Sequence, residues 1–595
     1  MVMKQVWNLD SIFAGGSNSP EFTAYMEKLK QNLESLEKQV NQFQGSTLDE
    51  LKEPFDSMID LVRKCTVQLG EISSFIGCLT AEDVHDKQAK LLVGKRNAYQ
   101  AMFDKTLTTF DNNLTEIPAN TWTLLCEQPS VKPIAFVLKE RRKLTKEKLP
   151  AAQEALLADL AVDGYQAWEE MYDAIVAKIM IYWEEANETK QLSVGQLENK
   201  LSDSDRSIRK IAFEKLAAAW TEQTDLFTET LNHLAGFRLQ TYAHRGWDDV
   251  LKEPLMYNRM KKETINAMWQ AISENKSVFY TYLKRKAELL GVDKLSWYDL
   301  EAPITTDTKK VSFDDAARTI VEQFASFSPK MANFAQRAFD QEWIEAEDRA
   351  GKRPGGFCTS FPDSKQTRIF MTYGGSASSV ATLAHELGHA YHQHVMDDLD
   401  TLNQNYAMNV AETASTLAEM IVADAAVKNA KTKEEKITLL EDKIQRSVAF
   451  FMNIHARFLF ETKFYQERKQ GTVPTERLNE LMKEAQQEAY GKQLAEYNPT
   501  FWASKLHFHI TDVPFYNFPY TFGYLFSLGI YARALDNPAS FESFYNALLK
   551  DTGRMNVEEL AKKHLQVNLQ ETAFWEEGIK LCKQDVEEFL QLTEK

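Results

Sequence analysis

Two histidines and a glutamate within five residues, His385-Glu386-Leu387-Gly388-His389, leave this part of the chain few conformations that make chemical sense. On a helix, residues four apart share a face, so both imidazoles reach one metal ion. Glu386, beside the first histidine, reaches the fourth coordination position, where water binds. Zinc lowers the pKa of such a water, and a carboxylate can take its proton during attack on a carbonyl. The flanks favour a helix. Ser376 or Ser379 can cap it, and Ala381, Leu383 and Leu387 supply apolar contacts. Gly388 costs roughly 1 kcal/mol of helix propensity against Ala, and it allows a second backbone to come close. The expectation is a zinc-dependent peptidase with one Zn2+ per chain.

A third protein ligand must come from another element. The segment Asn409 to Glu419 carries two acids two turns apart. Glu412 sits among small residues, where a buried carboxylate has to be paired or coordinated. It is the expected third ligand, with Glu419 as the acceptor that orients a metal-bound imidazole. His392 shares the face of His385 and His389 but is awkward as a third ligand on one straight helix. It is expected to hydrogen-bond or pack nearby, while His394 lies off that face.

Further along, Tyr516, Tyr520 and Tyr524 recur every four residues in a stretch that also holds His507, His509 and Pro519. If helical they form a stripe, and a phenol can donate to a developing oxyanion. Thr367 to Tyr373 reads as a strand ending at Gly374-Gly375, preceded by a turn at Gly355-Gly356. A peptide lying along Arg368 to Tyr373 could pair with it backbone to backbone. No phosphate loop and no Gly-x-Ser-x-Gly elbow is present.

The rest of the sequence reads as helical. Long patterns run through about residue 75, then from a cap at Thr80, through 151–195 with Leu156, Leu160, Trp168 and Met171, and from Asn199 to about Leu289. The apolar run Val448 to Phe460 is broken by His455 and Arg457 and reads as a buried helix, so no membrane span is expected. A net charge of -17 argues against a nucleic-acid partner. Five scattered cysteines with no Cys-x-x-Cys, and a start that is no signal peptide, point to a cytoplasmic protein. The expected organisation is an N-terminal helical region over 1–195 and a catalytic domain over 196–595.

The run Thr382 to His392, with Ala411-Glu412-Thr413-Ala414-Ser415-Thr416 and Pro514 to Tyr524, resembles the oligoendopeptidase F branch of the thimet-oligopeptidase-like zinc metallopeptidases, the M3 family. The turn Arg353 to Thr359 and the strand through Tyr373 are similar to that branch's substrate-binding elements. The resemblance implies a mainly α, two-lobed molecule with a deep central channel and a small β-region beside a zincin-like zinc helix. It implies His385, His389 and Glu412 as ligands, Glu386 as general base, His509 as a substrate-contacting histidine, and Tyr516 or Tyr524 as oxyanion donor. The function it implies is endopeptidase cleavage of short peptides. An exopeptidase on the same scaffold would need a charged anchor for a peptide terminus, for which Lys352, Arg353 and Arg368 are candidates. A noncatalytic peptide-binding protein is the remaining alternative. Oligomeric state leaves no trace in the sequence.

Overall fold

The computed structural model describes residues 3–185, 188–305 and 310–594. Its N-terminal part is built from three long helices whose apolar spacing is helical throughout. Pro20–Gln42 buries Leu29, Leu33, Leu36 and Val40, and opens on Ser19, whose hydroxyl accepts the Phe22 N–H. Leu48–Glu82 begins with a Thr47/Glu50 capping box. Lys87–Glu116 starts at Asp86, not at Thr80. Thr80 stays inside the preceding helix and bonds back to the Ile76 carbonyl at 2.9 Å, because the buried face through Phe75, Ile76 and Leu79 carries that helix on.

These helices form a first hydrophobic core that runs from Trp7 to Leu138 and also takes in Phe361 and Phe370. A second and larger core spans Tyr172 to Phe589. Between them, two features depart from the helical reading of 151–195. Leu156, Leu160 and Met171, expected as an apolar packing face, are 58%, 60% and 49% exposed. Met180–Glu185 and Glu188–Ser193 then pair as antiparallel strands, with Met180 opposite Ser193. Ile181 and Trp183 are buried there while Met180 and Tyr182 are exposed, a two-residue period too short to stand out beside the helices.

The functionally placed sheet has three short strands. Gln366–Phe370 is central, with Ile344–Glu345 parallel on one side and Phe357–Phe361 antiparallel on the other. The β-branched run read from sequence is therefore the strand paired along both edges, which is where such residues pack best. A peptide cannot add to it. Phe357–Phe361 is the longer of the two edge strands, the other being Ile344–Glu345. The start of the chain is tied to this sheet: Asn8 N–H donates to the Glu342 carbonyl at 2.7 Å, and the Arg368 guanidinium donates to the Asn8 carbonyl at 2.8 Å. The long helix Leu48–Glu82 grips the edge strand through Ser74, which donates to the Ser360 carbonyl at 2.6 Å and meets the Thr359 hydroxyl at 2.7 Å. No helix among the described residues is long and apolar enough to cross a membrane.

Candidate metal and catalytic site

The five-residue motif lies on the helix Ala377–Met396, whose start is capped by Ser376 accepting the Ser379 N–H. Against it packs Met408–Asn429, the helix that carries Glu412 and Glu419. The approach is closer than a side chain would permit. A Cβ built on Gly388 would stand 2.5 Å from the Ala414 carbonyl oxygen and 2.6 Å from Ser415 Cα. Gly523, on the helix Phe518–Asp536, does the same from the other side, 2.7 Å from Glu412 Cβ. Two glycines thus let three helices meet around one carboxylate.

His385, His389 and Glu412 each offer one ligand atom, and these atoms lie within 4.8 Å of one another. His385 Nε2 is 3.1 Å from His389 Nε2 and 3.5 Å from Glu412 Oε2, and the remaining edge is 3.7 Å. A tetrahedral ion with bonds of about 2.0–2.1 Å needs ligand separations of roughly 3.3 Å, so the three atoms fit three of its corners. His385 Nδ1 donates to Glu419 Oε1 at 2.5 Å, which leaves its Nε2 lone pair facing His389 and Glu412. Glu419 is itself paired with Arg446, and the Ser415 hydroxyl donates to Glu412 Oε2 at 2.9 Å. Burial holds the His389 imidazole down to about 4, the neutral form that binds metals. Burial pushes the Glu386 carboxyl up to about 7, with His385 opposing and Glu412 adding to the rise. A group poised there can both accept and return a proton near neutral pH.

These residues face a cavity of about 700 Å³, lined also by Gly356, Phe357, Cys358 and Ser360 of the edge strand, and by Tyr406, Arg446 and Tyr520. His509, Tyr516 and Tyr524 do not line it. His509 is fully buried and stacks on Tyr172 with ring centroids 4.1 Å apart, and burial holds its imidazole down to about 3. His507 looks toward the phenols instead, 5.1 Å from the Tyr516 ring, because residues on either side of the tight turn at Phe508 face different ways. The tyrosine stripe is not one helical face. Tyr516 precedes the helix, after Phe515, whose φ of 54° is a left-handed conformation held by Glu461 accepting its N–H. Tyr524 turns inward to Ser447 Oγ at 2.9 Å and stacks on Phe450. Tyr520 is the member that reaches the cavity, and its hydroxyl donates to Tyr516 at 3.3 Å.

The candidate anchors for a peptide terminus are mostly engaged. Arg368 is fully buried by its own bonds to Asn8, Ser11 and Gln366, and Lys352 pairs with Glu345 at 3.2 Å. Arg353 is exposed and lies over the Phe357 ring at 4.9 Å. Tyr406 was not reachable by pattern. It stands in a connection with no periodicity, and only the fold brings it beside Glu412.

The sequence profile of peptidase family M3 matches residues 200–580, and one described as oligopeptidase F matches residues 113–180. An oligoendopeptidase F homolog of Lactococcus lactis subsp. lactis is 23% identical over 100% of this chain and 98% of its own length. The chromosomal oligoendopeptidase F of Lactococcus lactis subsp. cremoris is 25% identical over 72% of this chain and 71% of its own. A solved structure from Chlamydophila abortus has the same fold, with a TM-score of 0.85 at 19% identity over 99% of this chain and 98% of that one. The oligoendopeptidase F of Enterococcus faecium gives 0.69 at 18% identity, covering 96% and 98%.

Proposed function

The chain belongs to peptidase family M3 and is a metalloendopeptidase of oligopeptides, and we propose that its metal is zinc, held by His385, His389 and Glu412, with Glu386 as the proton-transferring base. The observation that carries this reading is the convergence of two imidazoles and a carboxylate on one point, with Glu386 on the same cavity wall. Two imidazoles and one carboxylate form a donor set that suits zinc. Zinc bound there supplies Lewis acidity to the scissile carbonyl and makes water acidic near neutral pH.

The residues of the chain do the rest. A short peptide lies along the strand Phe357–Phe361, pairing backbone to backbone ahead of Ser360, whose carbonyl is taken by Ser74. Glu386 takes a proton from the attacking water and gives it to the leaving amine. Glu419, braced by Arg446, fixes the His385 ring. Tyr520 donates a hydrogen bond to the oxyanion, and His507 stands behind the Tyr516–Tyr520 pair. On this reading Tyr524 and His509 serve packing.

The test is cleavage of a mixture of peptides with blocked ends and peptides with free ends, read by mass spectrometry. Internal cuts are expected, lost on chelation and restored by one equivalent of zinc. Cutting confined to free termini, or cutting that survives complete metal removal, would refute the proposal. A second comparison separates the phenols. Tyr520→Phe is expected to lower kcat by about 100-fold, the effect of losing one oxyanion donor. Tyr524→Phe should leave kcat within about twofold and cost about 1 kcal/mol of stability through its lost bond to Ser447. The reverse pattern would exchange their roles.

A further inference from the structure

Tyr406 stands in the short connection between the turn Thr401–Asn403 and the helix Met408–Asn429. It is half-buried and lines the same cavity as Glu386, Glu412 and Tyr520. The Tyr520 hydroxyl rests on Tyr516 at 3.3 Å, a long contact that it can exchange for substrate, and the Tyr406 hydroxyl makes no hydrogen bond among the described residues. Burial pushes this phenol up, with Cys358 and Glu412 adding to the rise, so it keeps its proton at any pH where a peptidase of this kind works.

The hydroxyl is free, but the ring is held. It stacks on His392 with centroids 4.2 Å apart and planes 12° from parallel. His392, the third histidine on its helix face, is fully buried. Thr552 donates to the Leu549 carbonyl at 2.7 Å, so its oxygen is left to accept from His392 Nε2 at 2.9 Å. Burial holds His392 down to about 3, so the ring is neutral and its single N–H is committed to Thr552. A flat, uncharged platform fixed from behind, bearing a phenol with an unused proton, is a preorganised donor in a cavity otherwise rich in carboxylates. Peptide carbonyls are the acceptors that a substrate brings there.

We propose that Tyr406 is a substrate-contacting residue that donates a hydrogen bond to a carbonyl of the bound peptide, and that His392, fixed by Thr552, is the positioning residue that holds its ring. This rests on the peptidase reading above. The experiment compares zinc-loaded wild type, Tyr406→Phe, Thr552→Val and the double variant on a blocked, internally quenched peptide, with zinc content and melting temperature measured on each. Tyr406→Phe is expected to lower kcat/KM roughly 10- to 100-fold, the worth of one hydrogen bond made to a reacting peptide, with zinc content and melting temperature unchanged. Thr552→Val should lose less, and lose nothing further once Tyr406 is Phe. Activity of Tyr406→Phe within twofold of wild type would overturn the contact. A Thr552→Val loss that persists in full in the Tyr406→Phe background would overturn the positioning role. If chelation leaves wild-type cleavage intact the peptidase mechanism itself fails, whereas a fully active, chelator-sensitive Tyr406→Phe would sink only this inference.

Discussion

Glu386→Gln is expected to cut kcat by about 10³- to 10⁴-fold, the upper part of what general acid–base catalysis contributes, while zinc content stays at one per chain. The amide keeps the size of the side chain and loses the ability to take a proton. Stability should move the other way. Glu386 is 7% exposed, and burial raises its carboxyl to about 7 from an ordinary value near 4.5. Its folded pKa lies above its unfolded one, so ionised Glu386 is a burden whose cost grows as pH rises from about 4.5 and is complete above about 7. Replacing it removes that burden. Metal-free Glu386→Gln should therefore be more stable than metal-free wild type at pH 8, by up to about 3 kcal/mol, and melt correspondingly higher, with the gap closing below pH 5. Steady-state kinetics and thermal melts at both pH values test this directly. A variant that keeps more than a tenth of wild-type kcat would remove Glu386 from the chemistry.

Gly388→Ala sets two effects against each other. Helix propensity favours Ala by roughly 1 kcal/mol. Packing opposes it, because the new methyl would meet the Ala414 carbonyl oxygen at 2.5 Å and Ser415 Cα at 2.6 Å, both backbone atoms of a helix that cannot swing aside. Overpacking of this kind costs about 1–3 kcal/mol, more where backbone must shift, so the net effect is destabilising. The displaced turn is the one after Glu412, whose carboxylate takes a hydrogen bond from Ser415 at 2.9 Å. Zinc affinity should drop by about 10- to 100-fold, as when the support of a ligand is disturbed. Gly94→Ala is the control: nothing lies within 4 Å of its new methyl, and it should gain up to about 1 kcal/mol. Chelator competition and melting curves report both quantities, and a Gly388→Ala protein as stable and as zinc-retentive as wild type would contradict the packing argument.

What could be read from the sequence follows the range of the forces involved. His385, Glu386 and His389 sit within one helical turn and a half, so their shared face is a local fact that periodicity reveals. Glu412 and Glu419 were reachable because carboxylates among small residues are conspicuous, and the fold brings both to His385. The tyrosine stripe required a helix unbroken from Tyr516 to Tyr524, and the helix begins at Phe518. Phe515, in a left-handed conformation, breaks the run before that helix, and only Tyr520 of the three reaches the cavity. The strand signal was real, but β-branched residues mark the centre of the sheet, whereas the cavity is lined by the neighbouring strand Phe357–Phe361. His507 and His509 differ by two positions and by the whole of their surroundings. Tyr406 depends on tertiary packing alone.

The edge strand has one further implication, for how chains of this kind can be recombined. Cys358 and Ser360 look into the catalytic cavity, while Phe361 belongs to the core of the N-terminal helices and Ser74 of those helices bonds to the strand's backbone. The same five residues are therefore shared property. An N-terminal part exchanged with that of a distant relative would have to match one face of this strand while leaving the other untouched. Inheritance of peptide preference should thus follow the entire chain, and a hybrid cut between the two cores would change what the enzyme accepts even with every metal ligand and the general base left in place.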